Sequence, residues 1–342
     1  MLRYAQTELE RSLYALRSNP LPMCIFSLTF LTDYAIMCSM FSITMGNIMK
    51  LYTPRYYKDF KCIADRCPHS CCIGWEIDVN KDTLEKYKCL NNSYANAILN
   101  SISTEPNPHF MLAEHDRCPH LDEFGLCKII LNAGEDYLCD ICREHPRFYN
   151  FTSIAEVGIG MSCPEAARVI LSSPDYADIE EIGCVEAEQN DIDFDGRADR
   201  NEIYRILQDT NDSYLERLDK IHRKYSIDPG DDSEWLEKLD SLEYLDPDHK
   251  KLFLNYASTH RPIGNDDCLE RFLAYLIYRH CTEAFDTEDL RAGLSFCLFC
   301  ERLLASLIFC TGAEFLQDVI ELARIISEEI EYSNDNTLAL TY

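Results

Sequence analysis

Crowded cysteines constrain this chain more than any other feature. Lys61 to Trp75 reads KCIADRCPHSCCIGW and carries Cys62, Cys67, Cys71 and Cys72. A looser set follows at Cys118, Cys127, Cys139 and Cys142, and Cys163 trails in a Cys-Pro step. Thiols gathered this way call for a metal, a disulfide framework or redox chemistry. The disulfide framework is the least favoured of the three. At 342 residues and 46% hydrophobic content the chain can bury a sizeable core without staples, and residues 1–48 carry no clear small-residue cleavage site. Metal-bound thiolates in a reducing, cytoplasmic setting are the expectation.

Charge narrows the partners. With 59 acidic and 32 basic side chains, the formal charge is -27. Such a surface repels phosphate backbones, so no nucleic acid partner is expected, whereas a Lys-rich protein would be attracted. Solubility alone also accounts for a charge of this kind.

Four stretches divide the chain. Residues 1–48 form an apolar N-terminal extension. Leu21 to Met49 is long enough to span a bilayer, but Asp33 sits mid-stretch, where a charge is costly. A buried helix, a membrane anchor and translated sequence upstream of a working start at Met49 all compete, and the last is preferred. A membrane partner is not expected. Residues 49–171 form the cysteine-cluster domain. Here Trp75–Val79 reads as a short strand, Asn80 or Asp82 caps a helix toward Leu90, and Asn91–Pro108 reads as loop. Phe148–Met161 suggests a hairpin, and Pro164 opens a helix at its favoured first position. Residues 172–199 are acidic and read as a linker. Residues 200–335 are read as a helical domain, with helices over Asn201–Tyr225, Cys268–Phe285, Asp289–Phe309 and Glu314–Ile330, the last two separated at Gly312. The fold class is therefore mainly α, with a small metal-binding region of short strands. Cys268, Cys281, Cys297, Cys300 and Cys310 lie in or beside apolar helices and read as buried thiols.

Four thiolates satisfy zinc or an iron–sulfur cluster, and spacing alone does not separate the two. Cys62, Cys67, Cys71, Cys72, Cys118, Cys127, Cys139 and Cys142 are the candidate ligands, expected to converge as one cluster with supporting thiols or as two four-thiolate sites. Proline after Cys67, Cys118 and Cys163 stiffens the loop behind each sulfur. His69, His120 and His145 are secondary candidates.

The order of these motifs resembles the flagellin lysine-N-methylases. Tyr57-x-x-Phe60-x-Cys62, then Cys67-x-x-x-Cys71-Cys72-x-Gly74-Trp75, matches the start of that family. Cys118, Gly125-Leu126-Cys127, Cys139-x-x-Cys142 and Pro146-Arg147 match its later series, and Ser162-Cys163-Pro164-Glu165-Ala166-Ala167-Arg168 a further segment. His145 departs from the tyrosine that the family tends to carry before Pro-Arg. Zinc- or iron-chelating cysteine-cluster proteins are broader relatives. The resemblance implies a transferase that methylates flagellin lysines, using S-adenosylmethionine and an iron–sulfur cluster, 4Fe-4S in the first instance and zinc as the alternative. A non-catalytic zinc- or iron-chelating protein is the competing reading, and a membrane-attached redox protein a third.

Methylation needs a neutral amine, whereas lysine has a pKa near 10.4. Some group must take that proton, and Tyr56, Tyr57, Glu144 and Tyr149 lie close to the motifs, with Tyr149 the candidate catalytic residue. Trp75, Phe148 and Tyr149 are expected to wall the inner site and hold the cation as it loses water. Gly158-Ile159-Gly160 is the nearest fragment to G-x-G-x-x-G, and Cys163 stands where the third glycine belongs, so no Rossmann-type cofactor site is read. The C-x-x-x-C-x-x-C spacing of radical enzymes is broken by Cys72.

Overall fold

Strand β1 (Asn47–Pro54) organises the N-terminal half. In this computed structural model, which describes residues 47–187, 194–282 and 284–342, β1 pairs in parallel with β5 (Ala155–Ile159) and antiparallel with β6 (Ile179–Ala187). Strand β4 (Arg147–Phe151) completes the sheet order β4-β5-β1-β6, and the short β2 (Ile102–Ser103) and β3 (His109–Phe110) pair separately. Met49 is buried between exposed Ile48 and Lys50, the alternation of a strand with one wet face. Pairing starts upstream of Met49, at Asn47 and Ile48. The remainder of the apolar extension lies outside the described residues.

Two boundaries differ from expectation. The acidic stretch 172–199 contains β6, paired with β1 along its whole length, so much of it is sheet rather than linker. One large core also runs from Tyr56, Ile159 and Met161 through the helices to Leu340, and therefore crosses the boundary drawn between the cysteine-cluster and helical domains.

Between β1 and β4 the chain makes an excursion that carries most of the cysteines. It forms helices α1 (Lys81–Cys89), α2 (Ala95–Asn100), α3 (Lys128–Ala133) and α4 (Asp140–Glu144). A small core of its own packs Ile77, Val79, Tyr87, Ile98 and Phe110 against Cys118 and Cys139. Trp75–Val79 makes one isolated bridge, Asp78 to His109, rather than a regular strand, and a second lies just upstream at Ile73 to Arg117. The expected loop Asn91–Pro108 holds α2 and β2.

Helices dominate the rest: α5 (Pro164–Ser172), α6 (Arg197–Leu207), α7 (Tyr214–Tyr225), α8 (Asp232–Ser241), α9 (Pro247–Phe253), α10 (Asp266–His280), α11 (Thr287–Thr311), α12 (Leu316–Ile326) and α13 (Asn334–Thr341). Helix α11 is long and apolar enough to cross a membrane, with a mean hydropathy of 1.7, but 78% of that window is buried inside the fold. It is hydrophobic all round because protein surrounds it. Asn201–Tyr225 is two helices rather than one. Ser213 accepts from the Glu216 amide, and the Glu216 carboxylate accepts from the Ser213 amide at 2.8 Å, a capping box that restarts the chain. Gly312 ends α11 at φ 67°, as the sequence predicts. Sheet and helices are joined by a buried ion pair, Arg200 on α6 gripping Glu156 on β5 through two 2.8 Å contacts.

Candidate metal centre

The thiols gather as two adjoining groups. In the first, Cys118, Cys127, Cys139, Cys142 and Cys72 lie within electrostatic reach of one another. Its scaffold is the small core. Cys118 donates its amide to the Cys72 carbonyl at 2.8 Å, pinning the two arms together. Cys127 and Cys139 stand at the N-caps of α3 and α4. Tyr87, fully buried, donates its hydroxyl to the Tyr137 carbonyl at 2.7 Å and lies 3.5 Å from the Cys139 sulfur. Asn80 stands at the N-cap of α1, as read, while its side-chain oxygen accepts from the Asp140 amide at 3.2 Å at the start of α4.

The second group comprises Cys62, Cys67, Cys71 and Cys163. Cys163 is the N-cap of α5 and belongs to this group although the candidate ligand set omitted it. The signal for it was present: a Cys-Pro step at a helix start, of the same kind as Cys67 and Cys118.

Burial and mutual proximity shift most of these thiols upward, which favours their neutral form. Burial pushes Cys118 up to about 12 and Cys163 up to about 11, and neighbouring cysteines add to both shifts. Burial likewise raises Cys127, against hydrogen bonds from the Ile130 and Ile129 amides. Those amides are unsatisfied donors of a helix start, aimed at a sulfur. Cys142 is pushed up and Cys139 pulled down by the hydrogen bond the two share. Cys72 is lowered to about 7 by its hydrogen bond from Cys71, with Ser70 and Arg117 assisting against burial, and Cys71 is raised correspondingly. Crowded thiolates repel, and a bound cation replaces their protons and removes the repulsion. The all-sulfur donor set, braced by backbone amides, fits a zinc ion or an iron–sulfur cluster. Among the described residues the set of three ligand atoms falling within 4.8 Å of one another is His249, Glu328 and Glu329, so no three thiols stand that close. A single tetrahedral zinc ion would bring its sulfurs to about 3.8 Å of each other.

The histidines divide. His120 is buried and held at both nitrogens, by Tyr94 at 2.8 Å and Ser101 at 2.9 Å, so neither faces a metal. His69 turns to Glu328 at 3.0 Å. His145 lies between Trp75 and Tyr332, with ring centroids at 5.7 and 6.3 Å, and burial lowers it to about 4.

The expected aromatic wall does not form. Phe148 packs into the helical core beneath the Arg279 guanidinium at 4.9 Å, while Tyr149 stacks on Phe151 at 6.2 Å. Successive strand residues face opposite sides, which parts these two rings. Trp75 donates its indole N–H to the Cys71 carbonyl. The Tyr149 hydroxyl donates to Glu144 Oε2 at 3.0 Å, and burial followed by the Glu144 charge raises its pKa. Tyr57 accepts from Arg147 Nε at 2.8 Å, and Tyr56 is buried in the main core. Among the C-terminal thiols, Cys281, Cys297 and Cys300 are buried as expected, whereas Cys310 is exposed, 3.2 Å from His260.

Comparison with known proteins supports the resemblance seen in the cysteine series. Lysine-N-methylases of Salmonella choleraesuis (strain SC-B67) and Salmonella typhimurium (strain LT2) are 27% identical to the chain over 130 residues, 36% of this chain and 32% of theirs. The flagellar biosynthetic protein FliU of Salmonella muenchen is 27% identical over 130 residues, 36% of this chain and 77% of its own length. The chain thus spans about a third of the lysine-N-methylases it matches. No protein-family model matches it, and no solved structure does.

Proposed function

We propose that the chain is a protein-lysine N-methyltransferase acting on flagellin, with S-adenosylmethionine as methyl donor and a cysteine-bound metal centre. The observation that carries this reading is the ordered cysteine series itself. It underlies the resemblance to lysine-N-methylases, and several of its thiols lie on the small core of the excursion. An iron–sulfur cluster is taken first because the resemblance to the lysine-N-methylases implies one, with zinc as the alternative. Its role would be to tie the loop 62–72 to the arms bearing Cys118 and Cys139. A cytoplasmic setting goes with this reading, because metal-binding thiolates need a reducing compartment.

The chain's own part in the reaction is to bind and deprotonate the lysine. The acidic surface raises the local concentration of basic segments. Of the four proton-handling candidates, Tyr56 is enclosed by the core and Tyr57 is engaged by Arg147. Glu144 and Tyr149 remain. Glu144 follows Cys142 by two residues on α4, and the Tyr149 hydroxyl fixes one of its oxygens. In this reading Glu144 accepts the ammonium proton, Tyr149 orients it, and the freed nitrogen attacks the methyl carbon as the carbon–sulfur bond breaks.

The exposure of Cys62 and Cys71 favours a second reading, in which an accessible site delivers metal without catalysis. Incubating the protein with labelled S-adenosylmethionine and flagellin separates the two. Label in flagellin lysines supports the transferase, and bound metal without label supports the carrier.

A further inference from the structure

Far from the cysteine excursion, Cys310 stands in a setting of its own. It lies in the last turn of α11, where the buried run of that helix ends and both Cys310 and its neighbour Phe309, 53% exposed, reach solvent. The Cys310 sulfur is 3.2 Å from His260 Nδ1 and 3.5 Å from the Asn255 carbonyl. The His260 ring stacks on Phe309, with centroids 4.7 Å apart and planes at 20°. The segment that carries His260 is fastened to α11 on both sides of it. The Ala257 amide donates to Ser306 Oγ at 3.1 Å, and Arg261 Nη2 donates to the buried Glu301 carboxylate at 2.6 Å. A nucleophile and a base thus stand on one rigid frame, within hydrogen-bond reach, with the base held by a third group.

We propose that Cys310 is a site of reversible covalent modification, with His260 as its base and low-molecular-weight disulfides as its reagents. The neutral imidazole protonated at Nε2 leaves Nδ1 to accept the thiol proton. Cys310 Sγ attacks one sulfur of the disulfide as that proton passes to His260. The new sulfur–sulfur bond forms, the old one breaks, and the departing thiolate takes the proton from the imidazolium. Cys310 is oxidised to a mixed disulfide and half of the reagent is reduced to a thiol. The backbone selects this chemistry over acyl transfer. A helix end presents carbonyls, and the Asn255 carbonyl also faces the sulfur, so the amides that an oxyanion needs are not there. Disulfide exchange develops charge on sulfur alone. The same carbonyls favour the imidazolium that forms. Cys300, the next thiol back along α11, is buried and about 15 Å away along the axis, so it does not resolve the adduct. The site depends neither on a metal nor on methyl transfer.

Cys89 provides a control within the same molecule. It is exposed like Cys310 and closes α1 as Cys310 nearly closes α11, but no histidine is recorded beside it. Lys86 and Lys88 in its own last turn favour its thiolate, so the comparison is conservative. The intact, reduced chain is treated with hydroxyethyl disulfide, a neutral reagent, near neutral pH. Adducts at each cysteine are followed over time by peptide mass spectrometry, for the wild type and for His260→Gln. An unassisted thiol is only a few per cent ionised there, so Cys310 should react about tenfold faster than Cys89. In His260→Gln the Cys310 rate should fall to that of Cys89, while an unchanged Cys89 rate reports an intact fold. Excess dithiothreitol should return Cys310 to the thiol. Equal rates at the two cysteines of the wild type would overturn the proposal, whatever the variant does. A Cys310 rate unaltered in folded His260→Gln would remove His260 as the base, and an adduct that resists dithiothreitol would refute disulfide exchange.

Discussion

His69 Nε2 stands 3.0 Å from Glu328 Oε1, tying the loop that carries Cys67 to the turn after α12. Burial alone would raise the Glu328 carboxyl, but His69 and Arg324 outweigh it and hold the group down at about 2. The π-helical turn Ser327–Glu331 directs three carboxylates to three histidines: Glu328 to His69, Glu329 to His249 at 2.6 Å, and Glu331 to His280 at 2.8 Å. One irregular turn thus braces the cysteine loop, α9 and α10.

Replacing Glu328 by Gln should loosen the loop without unfolding the protein. The expected cost is about 1–3 kcal/mol, that of weakening hydrogen bonds to charged groups. Bound metal should dissociate faster from this variant. Chemical denaturation and metal release after chelator addition check it, and an unchanged release rate would show that the ion pair does not hold the loop.

The Arg200–Glu156 pair offers a cleaner stability test. Both side chains are almost fully buried, at 3% and 1% exposure, so losing one strands the other's charge. Arg200→Met alone should cost about 3–5 kcal/mol, while Arg200→Met with Glu156→Leu should recover most of it. Urea unfolding of both variants decides, and two equally unstable proteins would contradict the account.

Gly158 is small for packing and not for phosphate binding. A Cβ there would lie 2.3 Å from Phe148 Cζ, in a ring already held by Arg279, Tyr275 and Tyr278. Gly158→Ala should therefore destabilise by about 1–3 kcal/mol through overpacking. A melting temperature equal to that of the wild type would show that Phe148 moves freely.

The His249–Glu329 pair gives a pH dependence of definite sign. Its hydrogen bond to Glu329 raises His249 above the ordinary histidine value, with Asp246 and Glu328 adding and burial opposing. A group whose folded pKa is raised contributes fully below its unfolded pKa, about 6.5, and loses that contribution as pH climbs through the folded value. The melting-temperature gap between wild type and His249→Gln should thus be widest near about pH 5.5 and narrow toward about pH 8.5. A gap that widens with pH would refute the pairing.

How much the sequence reveals depends on where each signal resides. Local signals carried through: Pro164 opens α5, Gly312 closes α11, and residues 147–159 form the hairpin, since each needs only near neighbours. Non-local pairing did not. Strand β6 reads as an acidic linker because its partner, β1, lies far upstream and its Glu180, Glu181 and Glu186 resemble part of a solvated run. The break at Ser213 was legible as Ser-x-x-Glu but hidden beneath an apolar period that continues across it. The candidate thiols were legible from crowding, whereas their division was not. Cys163 lies far from Cys62 and Cys67 in sequence yet within their electrostatic reach. The Phe148–Tyr149 wall fails for a reason available in the sequence, the two-residue period of a strand.

The central claim is lysine methylation by this chain, and mass spectrometry of flagellin tests it most directly. Purified flagellin is incubated with S-adenosylmethionine and either the metal-reconstituted protein or a Glu144→Gln variant that has bound the same metal. The account predicts methyl groups on lysine side chains with the wild type and a large loss of kcat, with KM little changed, in the variant. Unmodified lysines after incubation with the fully metal-loaded wild type would contradict it.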